Sequence, residues 1–83
     1  MTELPLSATV PHMSPGDQFG PVLRRVRTER GLTQEQLAEV SGLHRTEISL
    51  LERSQRKPLL ETVVALCRGL GVTPAELLHE VKI

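Results

Sequence analysis

Eighty-three residues, 39% of them hydrophobic but only one aromatic, allow one small domain with a core of Leu, Val, Ile and Ala, too little chain for a catalytic cleft and a second domain. One cysteine excludes an internal disulfide, no Cys/His group has zinc-site spacing, and no apolar run approaches the roughly 18 residues of a membrane span. Formal net charge is zero but segregated: residues 22–58 carry eight basic against five acidic groups, a local +3 between flanks of −2 and −1, and such a stretch can hold a polyanion although the whole chain is neutral.

An aliphatic core suits helices better than a sheet sandwich, so the fold class expected is all-α. Residues 1–16, MTELPLSATVPHMSPG, contain three prolines, no helical period and no Lys or Arg; they read as a flexible lead-in to a domain over 17–83, and not as a minor-groove arm. The same stretch lacks the basic and apolar regions of a signal peptide, which makes the cytoplasm the expected compartment, with no membrane partner. Asp17 can cap a first helix running to about Arg30, with Pro21 in its first turn and Gly31 as its stop. Thr33 caps a short second helix to about Val40, with Gln36 completing a capping box. A third spans about His44 to Arg53, and SQRKP forms a loop. The fourth covers about Leu60 to Leu70, loosened by Gly69 and Gly71, and Thr73-Pro74 opens a fifth that runs to about Glu80. Helical period selects a core of Phe19, Val22, Leu23, Val26, Leu32, Leu37, Ala38, Leu43, Ile48, Leu51, Leu60, Val63, Val64, Cys67, Leu70, Val72, Leu77 and Leu78.

The stretch QEQLAEVSGLHRTEI, 34–48, breaks a helix-favouring run with small residues at fixed distances. Two short helices that cross steeply need a small side chain at the approach, supplied by Ala38, and a residue tolerant of positive φ at the turn, supplied by Gly42. The order Gln34, three residues, Ala38, three residues, Gly42, five residues, Ile48 is similar to the pattern of the Cro and phage-repressor-like, or Xre, family of DNA-binding domains. RTERGLTQEQLAEVSGLHRTEISLLER and LETVVALCRGLGVTPAELL extend the resemblance over roughly residues 18–78. It implies a five-helix bundle of the lambda-repressor-like type, with the helix-turn-helix at helices two and three.

On the third helix a wheel places Ile48 and Leu51 inward, and Thr46, Ser49, Leu50 and Arg53 outward, with Arg45 at the tip. That outer face would enter a major groove, where Arg45 offers a fork to guanine and Leu50 a surface for a thymine methyl. The resemblance implies base contacts from Arg45 and Thr46 and a phosphate contact from Gln34, with Thr33 and His44 at the adjoining helix starts. Arg53, Arg56 and Lys57 can reach the flanking backbone. Glu35 and Glu39 stand four apart with no nucleophile or metal ligand near them and read as a solvated face. His12, His44 and His79 share no spacing, and Cys67 reads as a small buried hydrophobe. No catalysis, cofactor or metal is expected.

Three positions depart from the family pattern. Ser54 stands where glycine is usual after the third helix, Leu59 where Ser or Thr caps the fourth, and Glu47 at the edge of the reading face. The resemblance also implies an ion pair, Arg27 with Glu52, tying the first helix to the third. Leu78, Val81 and Ile83 continue an apolar pattern into a tail too short to bury itself, which points to a homodimer through the fifth helix. The function expected is a sequence-specific transcriptional regulator, not an enzyme, that binds double-stranded DNA as a dimer on a two-fold-related operator and takes no small-molecule ligand. A phage-type repressor, a restriction-modification controller and an antitoxin all fit; a protein-interaction module that kept the fold without DNA binding is the alternative of another class.

Overall fold

A computed structural model describes residues 15–81 and folds them into five helices: α1 Pro15–Glu29, α2 Gln34–Ser41, α3 Arg45–Glu52, α4 Leu60–Leu70 and α5 Pro74–His79. Of the expected lead-in, residues 1–14 lie outside the described residues, while Pro15 and Gly16 belong to α1. Asp17 therefore sits inside the first turn, past the cap position expected for it. Pro21, expected in the first turn, comes two turns in, where its ring removes the N–H that would bond the Asp17 carbonyl.

The helix ends follow from local chemistry. Thr33 and Thr73 each begin a helix with a closed capping box: Thr33 Oγ1 accepts from the Gln36 N–H at 3.0 Å while Gln36 Oε1 accepts from the Thr33 N–H at 2.8 Å. Thr73 and Glu76 repeat both distances. The Thr73 backbone N–H, and after it the Thr73 side chain, hold the Glu76 carboxyl below the ordinary carboxylate range. Leu59 begins α4 with extended backbone and no side-chain cap. After α3 the chain closes a Schellman motif, with the Ser54 N–H on the Leu51 carbonyl at 3.1 Å and the Gln55 N–H on the Leu50 carbonyl at 2.8 Å. Ser54 adopts φ 59° to do so, a serine in the left-handed conformation that glycine takes without cost.

Leu23, Leu37, Ile48, Leu51, Leu66 and Leu77 form the centre, surrounded by Phe19, Val22, Val26, Val63, Cys67 and Leu70. Leu32, Ala38, Leu43, Val72 and Val81 pack partly buried against it. Two members of the expected core are corrected: Leu60 is 78% exposed and Leu78 49% exposed. Leu60 opens α4 on its solvent side, while Thr62 and Val63 of the same turn are buried, and Leu78 lies about 100° around α5 from the buried Leu77. Val64 is half-buried, and the inward face of α4 includes Leu66, which the expected core omits although it stands three residues after Val63 and four before Leu70. Burial also raises the Cys67 thiol pKa.

Two glycines set helix separations. A Cβ on Gly20 of α1 would fall 2.5 Å from the Leu51 carbonyl oxygen and 2.7 Å from that of Glu52, so the glycine lets α1 lie directly on the last turn of α3. On Gly69 a Cβ would meet Val40, Leu37 and Ser41 at 3.1–3.2 Å. Gly69 thus seats α4 against α2 and does not loosen it; α4 continues to Leu70. No helix among the described residues is long and apolar enough to cross a membrane.

Candidate nucleic-acid interface

α2, the turn at Gly42 and α3 form the candidate site. Gly42 has φ 79°, and its N–H closes on the Ala38 carbonyl at 2.9 Å. Nothing would crowd a side chain there, so the requirement is for backbone conformation alone. Ala38 is half-buried beside Leu37, which is fully buried. The turn holds α3 with Ile48 and Leu51 in the core, and the same rotation leaves Arg45, Thr46 and Arg53 exposed.

Ser49 and Glu47 are half-buried, and so is Leu50, which the helical wheel places outward. His44 is the exposed N-cap of α3 and makes no side-chain capping bond. Arg45 Nε lies 3.8 Å from Glu35 Oε2, with both side chains largely in solvent; such a pair has little net stability, and Arg45 can leave it for another anion. The Arg53 Nε donates to the Ser49 carbonyl at 3.3 Å. Arg56 and Lys57 follow on the exposed loop after α3. Thr33, exposed at the start of α2, has its hydroxyl oxygen committed to the capping box.

Beneath the turn lies a buried charge network. Arg27 Nε donates to Glu52 Oε2 at 2.5 Å and Arg27 Nη2 to Glu52 Oε1 at 3.0 Å, with side-chain exposures of 11% and 3%. Arg27 Nη1 also donates to the Leu32 carbonyl at 2.8 Å, so the guanidinium ties α1 to α3 and to the segment entering α2. Gln34 joins them, its Nε2 donating to Glu52 Oε1 at 3.0 Å. Sequence reasoning places Gln34 at the surface for a phosphate and does not connect it to Glu52. Eighteen residues separate them, and no local pattern reports such a contact.

At the far end of the fold, Arg25 of α1 pairs with Glu80 after α5. Leu78 faces outward, Val81 packs partly against the core, and Ile83 lies outside the described residues. Among the described residues no group of His, Cys, Asp or Glu could hold a metal ion.

Comparison with known proteins agrees with this architecture. A helix-turn-helix family model matches residues 23–77. The control protein C.SmaI of Serratia marcescens is 45% identical over 56 residues, which is 68% of this chain and 67% of that protein. The control protein C.BamHI of Bacillus amyloliquefaciens is 39% identical over 61 residues, 72% of this chain and 75% of its own. The crystal structure of the restriction-modification controller protein C.AhdI from Aeromonas hydrophila superposes with a TM-score of 0.71 at 43% identity, covering 74% of this chain and 92% of that one. With a matching family model over most of its described length, relatives at 39–45% identity and a fold that superposes on C.AhdI, the chain belongs to the helix-turn-helix family, as a DNA-binding transcriptional regulator of the Xre type and not an enzyme.

Proposed function

We propose that this regulator is a control protein of the restriction-modification kind, acting in the cytoplasm as a homodimer on a two-fold-related operator. α3 enters the major groove of each half-site, and α2 lies against the backbone. The observation that carries the reading is the outer face of α3: Arg45 and Thr46 exposed at its start, Ser49 and Leu50 half-buried beside them, above an inner face wholly in the core. Arg45 forks onto a guanine, Thr46 and Leu50 meet neighbouring bases, and Thr33, Gln34, His44, Ser49, Arg53, Arg56 and Lys57 contact the adjoining backbone and base edges. The control-protein assignment is supported by the names that the similar proteins C.SmaI, C.BamHI and C.AhdI carry. Leu78, exposed on α5, is the centre of the dimer surface with Val81 and Ile83.

The test is a selection of bound DNA from a random pool, followed by binding of the selected duplex to variants. Arg45→Ala costs about 1–3 kcal/mol per half-site and relaxes discrimination at one base pair. Lys57→Ala weakens all sequences alike and lowers the slope of log K against log salt by about 0.9 for each phosphate no longer neutralised. If Arg45→Ala weakens every sequence equally, Arg45 is a backbone anchor and the reading face is misassigned. Sedimentation that finds a monomer at micromolar concentration, free and with the duplex, defeats the dimer.

A further inference from the structure

We propose that Glu52, besides locking α3 to α1, is a positioning residue for operator binding: it fixes the Gln34 side-chain amide in the orientation in which that amide meets a backbone phosphate. The inference rests on the proposed docking of α2 and α3 on DNA.

The geometry that carries it is the sharing of one carboxylate. Glu52 Oε2 takes Arg27 Nε, while Oε1 takes both Arg27 Nη2 and Gln34 Nε2 at 3.0 Å each. A primary amide can present either its oxygen or its nitrogen to a neighbour, but an ionised carboxylate only accepts, so it selects the nitrogen. With that nitrogen anchored, the second N–H of the same planar group is fixed too, and it remains to be donated. A bare carboxylate behind the amide would repel a phosphate. The Arg27 guanidinium, itself held by the Leu32 carbonyl at 2.8 Å, neutralises it on the other side.

The backbone beside Gln34 is arranged to the same end. The Gln36 N–H goes to Thr33 Oγ1 at 3.0 Å and the Leu37 N–H to the Thr33 carbonyl at 2.9 Å. The remaining first-turn N–H groups of α2, those of Gln34 and Glu35, have no place in the helix ladder and stand next to the oriented amide. A side chain already held in its binding geometry loses less freedom when the phosphate arrives than one that must be ordered at that moment. Glu52 thus acts on DNA through Gln34 and needs no contact with it.

A double-mutant cycle tests this on the full chain with the selected operator duplex, using Gln34→Ala and Glu52→Asp. The aspartate keeps a charge for Arg27 but withdraws the carboxylate from Gln34. In the wild-type background Gln34→Ala should weaken binding about tenfold, the scale of one good hydrogen bond to a charged group, and leave the salt slope unchanged, because a neutral amide neutralises no phosphate and releases no counterion. Glu52→Asp should reproduce most of that loss, and adding Gln34→Ala to it should cost less than about twofold more. A fully additive cycle overturns the inference while leaving Gln34 as a phosphate contact. If Gln34→Ala leaves the affinity unchanged, the phosphate reading of Gln34 fails and the positioning role fails with it. Should Glu52→Asp not fold, relaxation of the Gln34 side-chain amide in the free wild-type protein decides: order comparable to rigid backbone, roughly 0.85, supports it, and a value below about 0.6 overturns it.

Discussion

Replacing Gly20 with alanine is the sharpest single perturbation of the fold. In a helix interior alanine is better than glycine by about 1 kcal/mol, so an isolated α1 would gain from the change. In the domain the new methyl would sit 2.5 Å from the Leu51 oxygen, 2.7 Å from the Glu52 oxygen and 2.8 Å from Ser54 Oγ. Ordinary contact begins near 3.4 Å, so α1 and the end of α3 must separate by about 0.9 Å. The first two obstacles are main-chain carbonyls in the last turn of a helix, which cannot rotate aside as a side-chain tip can. Overpacking of this kind costs about 3 kcal/mol or more, and subtracting the propensity gain leaves a net loss of about 2 kcal/mol or more. For a domain of this size that is a fall in Tm of roughly 8–16 °C, read by circular dichroism on thermal or urea unfolding. Gly69→Ala is the comparison, because its neighbours at 3.1–3.2 Å are side-chain atoms that can give way; its loss should be the smaller. A Gly20→Ala protein as stable as wild type would refute the claim that main-chain approach of α1 and α3 determines this glycine.

Leu59→Ser restores a capping oxygen where an extended, 68% exposed leucine makes none, and should stabilise the protein by about 1 kcal/mol in urea titration. Glu52→Ala leaves the buried Arg27 guanidinium without its bidentate partner, and should cost about 3–5 kcal/mol, far beyond the effect of removing Glu35 from its exposed pair with Arg45. Because the folded-state pKa of Glu76 is depressed by Thr73, its contribution is present above the unfolded carboxylate pKa and is lost as pH falls through the lower folded value. Thr73→Ala removes the side chain's share and keeps the larger one from the backbone N–H, so the Glu76 titration, followed by NMR, should move only part of the way back towards the ordinary range.

What the sequence made legible was whatever depends on neighbours along the chain. Thr33 with Gln36, Thr73-Pro74 with Glu76, and Gly42 after Ala38 each declare a helix boundary through residues three or four apart, and each lies where expected. Leu59 and Ser54 were recognisable as misfits because the family pattern supplies what should stand there, and the structure gives one no cap and the other a left-handed backbone. The long-range features were silent. Gly20 reads as an unfavourable residue inside a helix until α3 is laid across it, and Gly69 reads as a breaker until α2 is seated on it. On α4 the pattern Val63, Leu66, Cys67, Leu70 is readable from the helical period and should have selected Leu66; Leu60, at the edge of that face, is left in solvent by the neighbouring helices. At the candidate site, Arg45 and Thr46 could be picked from the wheel because exposure on a short helix follows from its phase. The half-burial of Leu50 and the bond from Gln34 to Glu52 depend on how two helices meet and could not.

Cys67 gives the molecule a built-in clock. Its sulfur is enclosed by the core at 2% exposure, and burial keeps the thiol protonated, hence unreactive. An alkylating reagent can reach it only when α4 leaves its neighbours, so the labelling rate counts the openings that part α4 from the core. Any molecule that binds only the closed form slows that count in inverse proportion to the fraction left unbound: a duplex at a hundred times its Kd should retard labelling about a hundredfold, with no dye, tag or label on the DNA. The one cysteine of the chain, remote in sequence from the turn proposed to meet the duplex, thereby reports on it.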